Sequence, residues 1–232
     1  MIQYQENLDA LKKYRYNFYE KYMEVCDENI NQLNIQVDIS EARDGNQIII
    51  ACKDEKKVRL NSQYRPIQEA QKWAMSFETG NIMVNALMFG FGNVMFVKEL
   101  LKRLKKDAKL FIYEPCLDIF VCAMRNFELT NIIKDERVGL CVQNVNMDEY
   151  ELFVQSRAHW TNTESQICCQ HTGYKELFWE DYMQFISIIQ KTNDIVEVNK
   201  NTMAHFSEKM VINMLENLKY VKDSRYITDY VK

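Results

Sequence analysis

Two prolines and six glycines in 232 residues leave this chain short of the residues that break regular structure, so long elements and few flexible linkers are expected. No hydrophobic run approaches the roughly 18 residues a membrane helix needs; the longest candidate, Ala86–Val97, is interrupted by Gly90 and Gly92. The first twenty residues mix Lys and Arg with Gln, Glu and Asn and hold no apolar core of the kind that marks a secretory signal, which points to the cytoplasm. An excess of one charge is also missing. Twenty-nine Lys and Arg stand against 33 Asp and Glu, a formal net charge of -4, so no whole-molecule field draws the chain to nucleic acid or to an anionic membrane, and neither is expected as a partner. The seven cysteines form no CxxC pair and are odd in number, which fits reduced thiols rather than a disulfide framework. What is present is core material: 47% hydrophobic and 12% aromatic residues with 27% charged, the balance of an ordinary globular chain.

The hydrophobic period divides the chain. Leu11, Tyr14, Phe18, Tyr22 and Val25 recur at spacings of three and four, predicting one opening helix. Ile35, Val37 and Ile39 alternate, Asp44-Gly45 marks a turn, and Gln47–Cys52 and Val58–Leu60 follow, predicting a three-stranded antiparallel meander. Behind Pro66 the residues Ile67, Ala70, Trp73 and Phe77 return to helical spacing. From Asn85 short apolar runs (Asn85–Gly90, Ala108–Glu114, Arg137–Val142) alternate with helical stripes (Val94 to Leu104, Leu117 to Phe127). That βαβαβ order calls for a mostly parallel, Rossmann-like sheet. Beyond it a short helix to about Arg157, a strand around Ser165–Gln170, a helix Tyr174–Gln190 and a last helix Glu197–Val221 are expected. The fold class is therefore α/β, with a helix and meander in 1–80, a Rossmann-like core in 81–195 and a C-terminal helix in 196–232.

Chemistry concentrates in Phe89-Gly90-Phe91-Gly92-Asn93, at the end of the first parallel strand and directly before a helix. Glycines there permit a sharp turn and a close approach of a ligand to the helix N-terminus, where free N–H groups favour an anion. Glu114 closes the next strand, where a carboxylate suits ribose hydroxyls. Gly90, Gly92, Asn93 and Glu114 are thus candidates for holding a nucleotide or an S-adenosylmethionine-like ligand. The competing reading is a tight turn and nothing more, because Val94 and Met95 stand where the third glycine of such fingerprints would. Under either reading, Glu114→Gln is expected to leave stability nearly unchanged. Cys169 and His171 could share a face and a metal, but no second ligand pair follows, and buried thiols explain them better. His159 and His205 are isolated. The basic run Lys98, Lys102, Arg103, Lys105 and Lys106 reads as a solvated helix face. No nucleophile motif is recognisable and no catalytic residue is assigned.

One stretch carries a family resemblance. Val58-Arg59-Leu60-Asn61-Ser62-Gln63-Tyr64-Arg65-Pro66-Ile67-Gln68-Glu69-Ala70 resembles the "yLHSkYdPirEA" segment of the motility accessory factor (Maf) flagellin glycosyltransferases, with Asn61 in place of the usual His and Arg65 in place of the usual Asp. In that family an apolar strand, a G-x-G turn, a helix and a strand ending "EP" follow. Here stand Leu87–Gly92 and Tyr113-Glu114-Pro115. Asn213-Met214-Leu215-Glu216-Asn217-Leu218 is similar to the "kNilkNl" helix that precedes the family's next domain, which resembles a hydroxymethylpterin diphosphokinase. The resemblance implies a parent enzyme that transfers an activated nonulosonic acid, such as pseudaminic acid, onto Ser/Thr of flagellin, and a CMP-sugar stands beside a nucleotide and S-adenosylmethionine among the ligands the glycine turn could take. It also implies that the transferring domain lies outside this sequence, with flagellin and that domain as partners. Three functions stay open: an accessory N-terminal module of such an enzyme, a stand-alone methyltransferase-like or nucleotide-binding enzyme using the glycine turn, and a structural interaction domain.

Overall fold

The computed structural model of the chain describes residues 2–29, 35–78, 85–150 and 166–221. Helices α1 (Ile2–Tyr14) and α2 (Tyr16–Asn29) lead into strands β1 (Gln36–Glu41), β2 (Gln47–Lys53) and β3 (Lys56–Arg59), which form the expected antiparallel meander in the order β1-β2-β3. Helix α3 (Pro66–Met75) follows, and then β4 (Asn85–Phe89), α4 (Met95–Arg103), β5 (Leu110–Glu114), α5 (Leu117–Asn126), the single turn α6 (Thr130–Ile133) and β6 (Val138–Val142). Strand β7 (Gln166–Gln170), a 3-10 turn Thr172–Tyr174 and the long helix α7 (Trp179–Val221) complete the described residues.

Four strands form one parallel sheet in the order β6-β5-β4-β7, with Leu87 opposite Phe111 on one side and Cys168 on the other. The order matters for function. The chain steps outward from β4 through β5 to β6, then returns to place β7 on the far side of β4, so the strand order reverses between β4 and β7. In open α/β sheets that reversal, at the C-terminal strand ends, is where ligands bind.

Side chains along the central strands sort by the period of two. Ala86, Met88, Leu110 and Ile112 face a cluster built from α1, α2, α4 and α5, in which Phe18 and Tyr22 meet the Phe120 ring edge-on at 5.8 and 5.7 Å. Leu87, Phe89, Phe111 and Tyr113 face the other way, onto the meander, Tyr150, Tyr174 and Phe185. Both faces are covered, which is why these strands read as continuous apolar runs.

The opening helix is two helices, not one. Arg15 lies at the break and reaches the carbonyls of Ile133, Asp135 and Val138, while Asn7, fully buried, donates to the carbonyls of Met124 and Phe127 and accepts from the Leu129 N–H. These polar anchors, rather than the apolar stripe alone, set the path of the N-terminus. Tyr14, expected in that stripe, is half exposed. The two expected C-terminal helices are one, because no glycine or proline lies between Trp179 and Val221 to break them. The sequence pattern does not predict turn α6; at four residues it is too short to show a helical period. The helix expected to reach Arg157 lies, beyond Tyr150, outside the described residues. The chain divides into two compact units, Met1–Ile189 and Gln190–Lys232.

The Leu60–Ala70 stretch has a local structural role. Ser62 Oγ accepts from the N–H groups of Tyr64 and Arg65, Glu69 accepts from the Ser62 N–H at 2.6 Å, and Pro66 starts α3 with its fixed φ. Serine, proline and glutamate at this spacing build the entry to a helix.

Candidate functional site

Strand β4 ends at Phe89, and the chain turns into α4 through two glycines in the left-handed region, Gly90 at φ +92° and Gly92 at φ +56°. Val94, the residue before the helix, also has a positive φ, +65°, a conformation that costs a β-branched residue about 1–3 kcal/mol. The Gly90 N–H continues the sheet by donating to the Tyr113 carbonyl. The next two N–H groups point inward: Phe91 donates to Glu114 Oε2 at 2.8 Å and Gly92 to the Tyr174 hydroxyl at 2.9 Å. Tyr174 in turn donates to Glu114 Oε2 at 2.5 Å, and Glu114 Oε1 accepts from the Cys116 N–H at 2.9 Å. One fully buried carboxylate therefore ties together the turn after β4, the turn after β5 and the 3-10 turn after β7. Gly90, Gly92 and Glu114 are brought into one cluster, as expected from the sequence. The hydroxyl that Glu114 binds is the chain's own.

The reversal point between β4 and β7 is filled from within. His171 continues β7 by donating its N–H to the Phe89 carbonyl at 2.8 Å, and its imidazole lies 4.2 Å from the Phe96 ring and 5.0 Å from the Tyr174 ring. A Cβ at Gly90 would stand 2.9 Å from His171 Cβ and from Tyr174 Cγ; a Cβ at Gly92 would stand 2.7 Å from His171 Nε2. The glycines make the room that these two side chains occupy. His171 Nδ1 accepts from the Gly173 N–H at 3.3 Å, which places the proton of the neutral ring on Nε2, and that buried atom has no hydrogen-bond partner among the described residues.

Burial sets the electrostatics. It pushes the Glu114 carboxyl up to about 7 against the opposing pull of the Tyr174 hydroxyl and the backbone N–H groups, and it pushes the His171 imidazole down to about 3. Burial and the neighbouring carboxylate hold the Tyr174 phenol far above its usual range. At neutral pH His171 is a neutral packing group, and Glu114 is the member that can exchange a proton.

Replacing Gly92 by alanine is expected to destabilise the fold by about 2–3 kcal/mol, since a positive φ costs an L-residue roughly 1–2 kcal/mol and the new methyl displaces a buried imidazole. Urea unfolding measures it. His171→Ala in the same chain should recover the steric part and not the conformational part.

Asn93 looks elsewhere. Its Nδ2 donates to the Gln47 carbonyl at 3.2 Å and its Oδ1 accepts from the Met95 N–H at 3.4 Å, tying the turn to the meander. Alone among the four candidate residues it lines an open groove, about 730 Å³ in volume, beside the first turn of α4. Lys98, Lys102 and Arg137 stand around that groove, paired with Glu128 at 3.5 Å, Glu99 at 2.6 Å and Asp135 at 2.7 Å. Much of the basic run is thus already engaged, and Arg103 donates to the Phe77 carbonyl at 3.3 Å.

Cys169 is buried with Sγ 3.4 Å from the Leu87 carbonyl, while Cys168 is exposed. Among the described residues no three His, Cys, Asp or Glu side chains are grouped to hold a metal. His205 lies in α7 against Phe206, and His159 falls outside the described residues. No described helix is long and apolar enough to cross a membrane. Sequence reasoning missed His171 and Tyr174 as the side chains that cover the glycine turn. Their signal, His-Thr-Gly-Tyr directly after a strand, becomes readable only once β7 is known to sit beside β4.

No family model matches the chain, and no curated protein matches it in sequence. Among solved structures, that of the MAf glycosyltransferase from Magnetospirillum magneticum AMB-1 has a similar fold, with a TM-score of 0.50 over 73% of this chain at 9% sequence identity. This chain spans 32% of the length of that one. At such low identity the likeness is one of fold.

Proposed function

We propose that this chain is the N-terminal module of a Maf-like glycosyltransferase that modifies flagellin with an activated nonulosonic acid, and that its own share is binding or assembly. The observation that carries the second half is the filled reversal point. Where an α/β enzyme of this strand order opens a crevice for its ligand, His171 and Tyr174 lie over Gly90 and Gly92, and Glu114 spends its oxygens on the chain's own N–H and O–H groups. The fold likeness to a MAf glycosyltransferase and the Val58–Ala70 resemblance support the first half. The test is to immobilise the chain and offer flagellin with a CMP-activated nonulosonic acid. Retention of flagellin without sugar transfer is the expected result. Transfer by this chain alone overturns the accessory role, and failure to retain flagellin overturns the binding role.

A second reading, a nucleotide-like ligand at the turn, draws on one observation: Asn93 reaches the groove beside α4. A thermal-shift panel of nucleotides, CMP-sugars and S-adenosylmethionine addresses it, because a ligand at 100 times its Kd adds about 2.7 kcal/mol. A shift that Asn93→Ala abolishes supports this reading; no shift across the panel removes it.

A further inference from the structure

The unit Gln190–Lys232, described up to Val221, is a continuous stretch of α7. Large apolar side chains along it are open to water: Ile195 is 53% exposed, Phe206 40%, Met210 52%, Met214 66% and Leu218 46%. At about 100° per residue these five positions fall within an arc of roughly 140°. Val211 and Tyr220 flank that arc, while Val198, Ile212 and Leu215 are exposed elsewhere on the helix. Residues 190–221 carry four lysines and four carboxylates. Seven of the eight positions lie on the remaining arc, and Lys200 stands at the margin of the apolar one. At roughly 100 Å² for each half-exposed side chain of this size, the arc presents on the order of 500 Å² of apolar surface, the upper end of what a monomer leaves open.

We infer that this arc is covered by the same arc of a second copy of the chain, forming a two-fold helix pair. Three features select that occupant. The charges sum to zero with both signs present, so the helix lacks the basic face by which amphipathic helices bind anionic membranes, and two copies meet without net repulsion. Asn199, Asn213 and Asn217 also fall on the apolar arc. Lipid would leave their carboxamides unsatisfied, whereas in a helix pair asparagines hydrogen-bond across the seam and fix its register. The 32 residues from 190 to 221 run for about 48 Å, long enough to approach the roughly 800 Å² per partner of a standard interface.

Sedimentation equilibrium of the full chain over about 1–100 μM is the test. The expected species is a reversible dimer, twice 27.7 kDa. Met210→Lys combined with Met214→Lys is expected to be monomeric throughout, with the thermal transition of the first unit retained. Should that variant fail to fold, Leu218→Ala serves instead, with dissociation at least about 30-fold easier. A wild-type monomer at 100 μM, an assembly larger than two, or a dimer unaffected by these substitutions overturns the inference.

Discussion

Glu114→Gln is expected to cost about 3 kcal/mol of stability near pH 5.5, a deficit that shrinks as the pH is raised to 8. The two oxygens of Glu114 receive three donors, the N–H groups of Phe91 and Cys116 and the Tyr174 hydroxyl. Glutamine offers one accepting oxygen, and its amide nitrogen only donates. One buried N–H is left facing another donor, a loss of roughly 1–3 kcal/mol with a further cost for the conflict. A protonated carboxyl avoids this, because its hydroxyl oxygen still accepts. The pH dependence follows from burial. The folded-state value for Glu114 is about 7 against an ordinary 4.5, so the folded protein keeps a proton that the unfolded chain gives up between those values. Its contribution is complete below about 4.5 and is lost as pH rises through 7, roughly 3 kcal/mol in all. His171 acts oppositely. With a folded value of about 3 against 6.5, it stays neutral where the unfolded chain takes up a proton, so its contribution is present above 6.5 and is lost as pH falls toward 3. The two slopes oppose each other between about 4.5 and 6.5, giving the wild type a plateau there and a decline above it. Glu114→Gln removes the decline and leaves the rise due to His171. Guanidinium unfolding at half-unit pH steps reads both curves, and a deficit constant with pH would show that Glu114 does not titrate in this range.

This result reverses what the sequence suggests, in which Glu114→Gln is harmless whether or not a ligand binds. The sequence made the elements legible. Alternating and helical periods placed the meander, α3, the three strands β4 to β6 and the helices α4 and α5, because both faces of the sheet are buried and each strand is a short apolar run between polar turns. The glycine turn and Glu114 were legible as a cluster for the same reason, since both sit at C-terminal ends of neighbouring parallel strands. What fills the turn was not. His171 and Tyr174 lie some eighty residues further along, directly after a strand whose place beside β4 is fixed by long-range pairing that leaves no local pattern. The break at Arg15 escaped likewise, since its cause is three carbonyls more than a hundred residues away.

Gly173 is where that long-range packing is tightest, and Gly173→Ala is expected to be the most damaging single methyl in the site, at about 3–5 kcal/mol. A Cβ there would lie 2.5 Å from Leu60 Cα and 2.6 Å from the Leu60 carbonyl oxygen. These are backbone atoms and cannot rotate aside. Leu60 is itself fixed, fully buried and donating its N–H to the Ile49 carbonyl at 2.9 Å. The 3-10 turn must therefore lift, drawing Tyr174 away from Glu114 and the Gly173 N–H away from His171 Nδ1. Gly45→Ala is the control: no other described residue comes within 4 Å of where its Cβ would stand, so only its φ of +83° counts and the loss should stay near 1–2 kcal/mol. Guanidinium unfolding of both variants separates the steric cost from the conformational one, and a Gly173→Ala loss no larger than that of Gly45→Ala would disprove the close approach. Because Gly173→Ala and Glu114→Gln loosen the same Tyr174 contact, the double variant should lose less stability than the two single losses combined, by about 1 kcal/mol or more. Strict additivity would mean that the turn after β7 does not depend on the buried carboxylate beneath it.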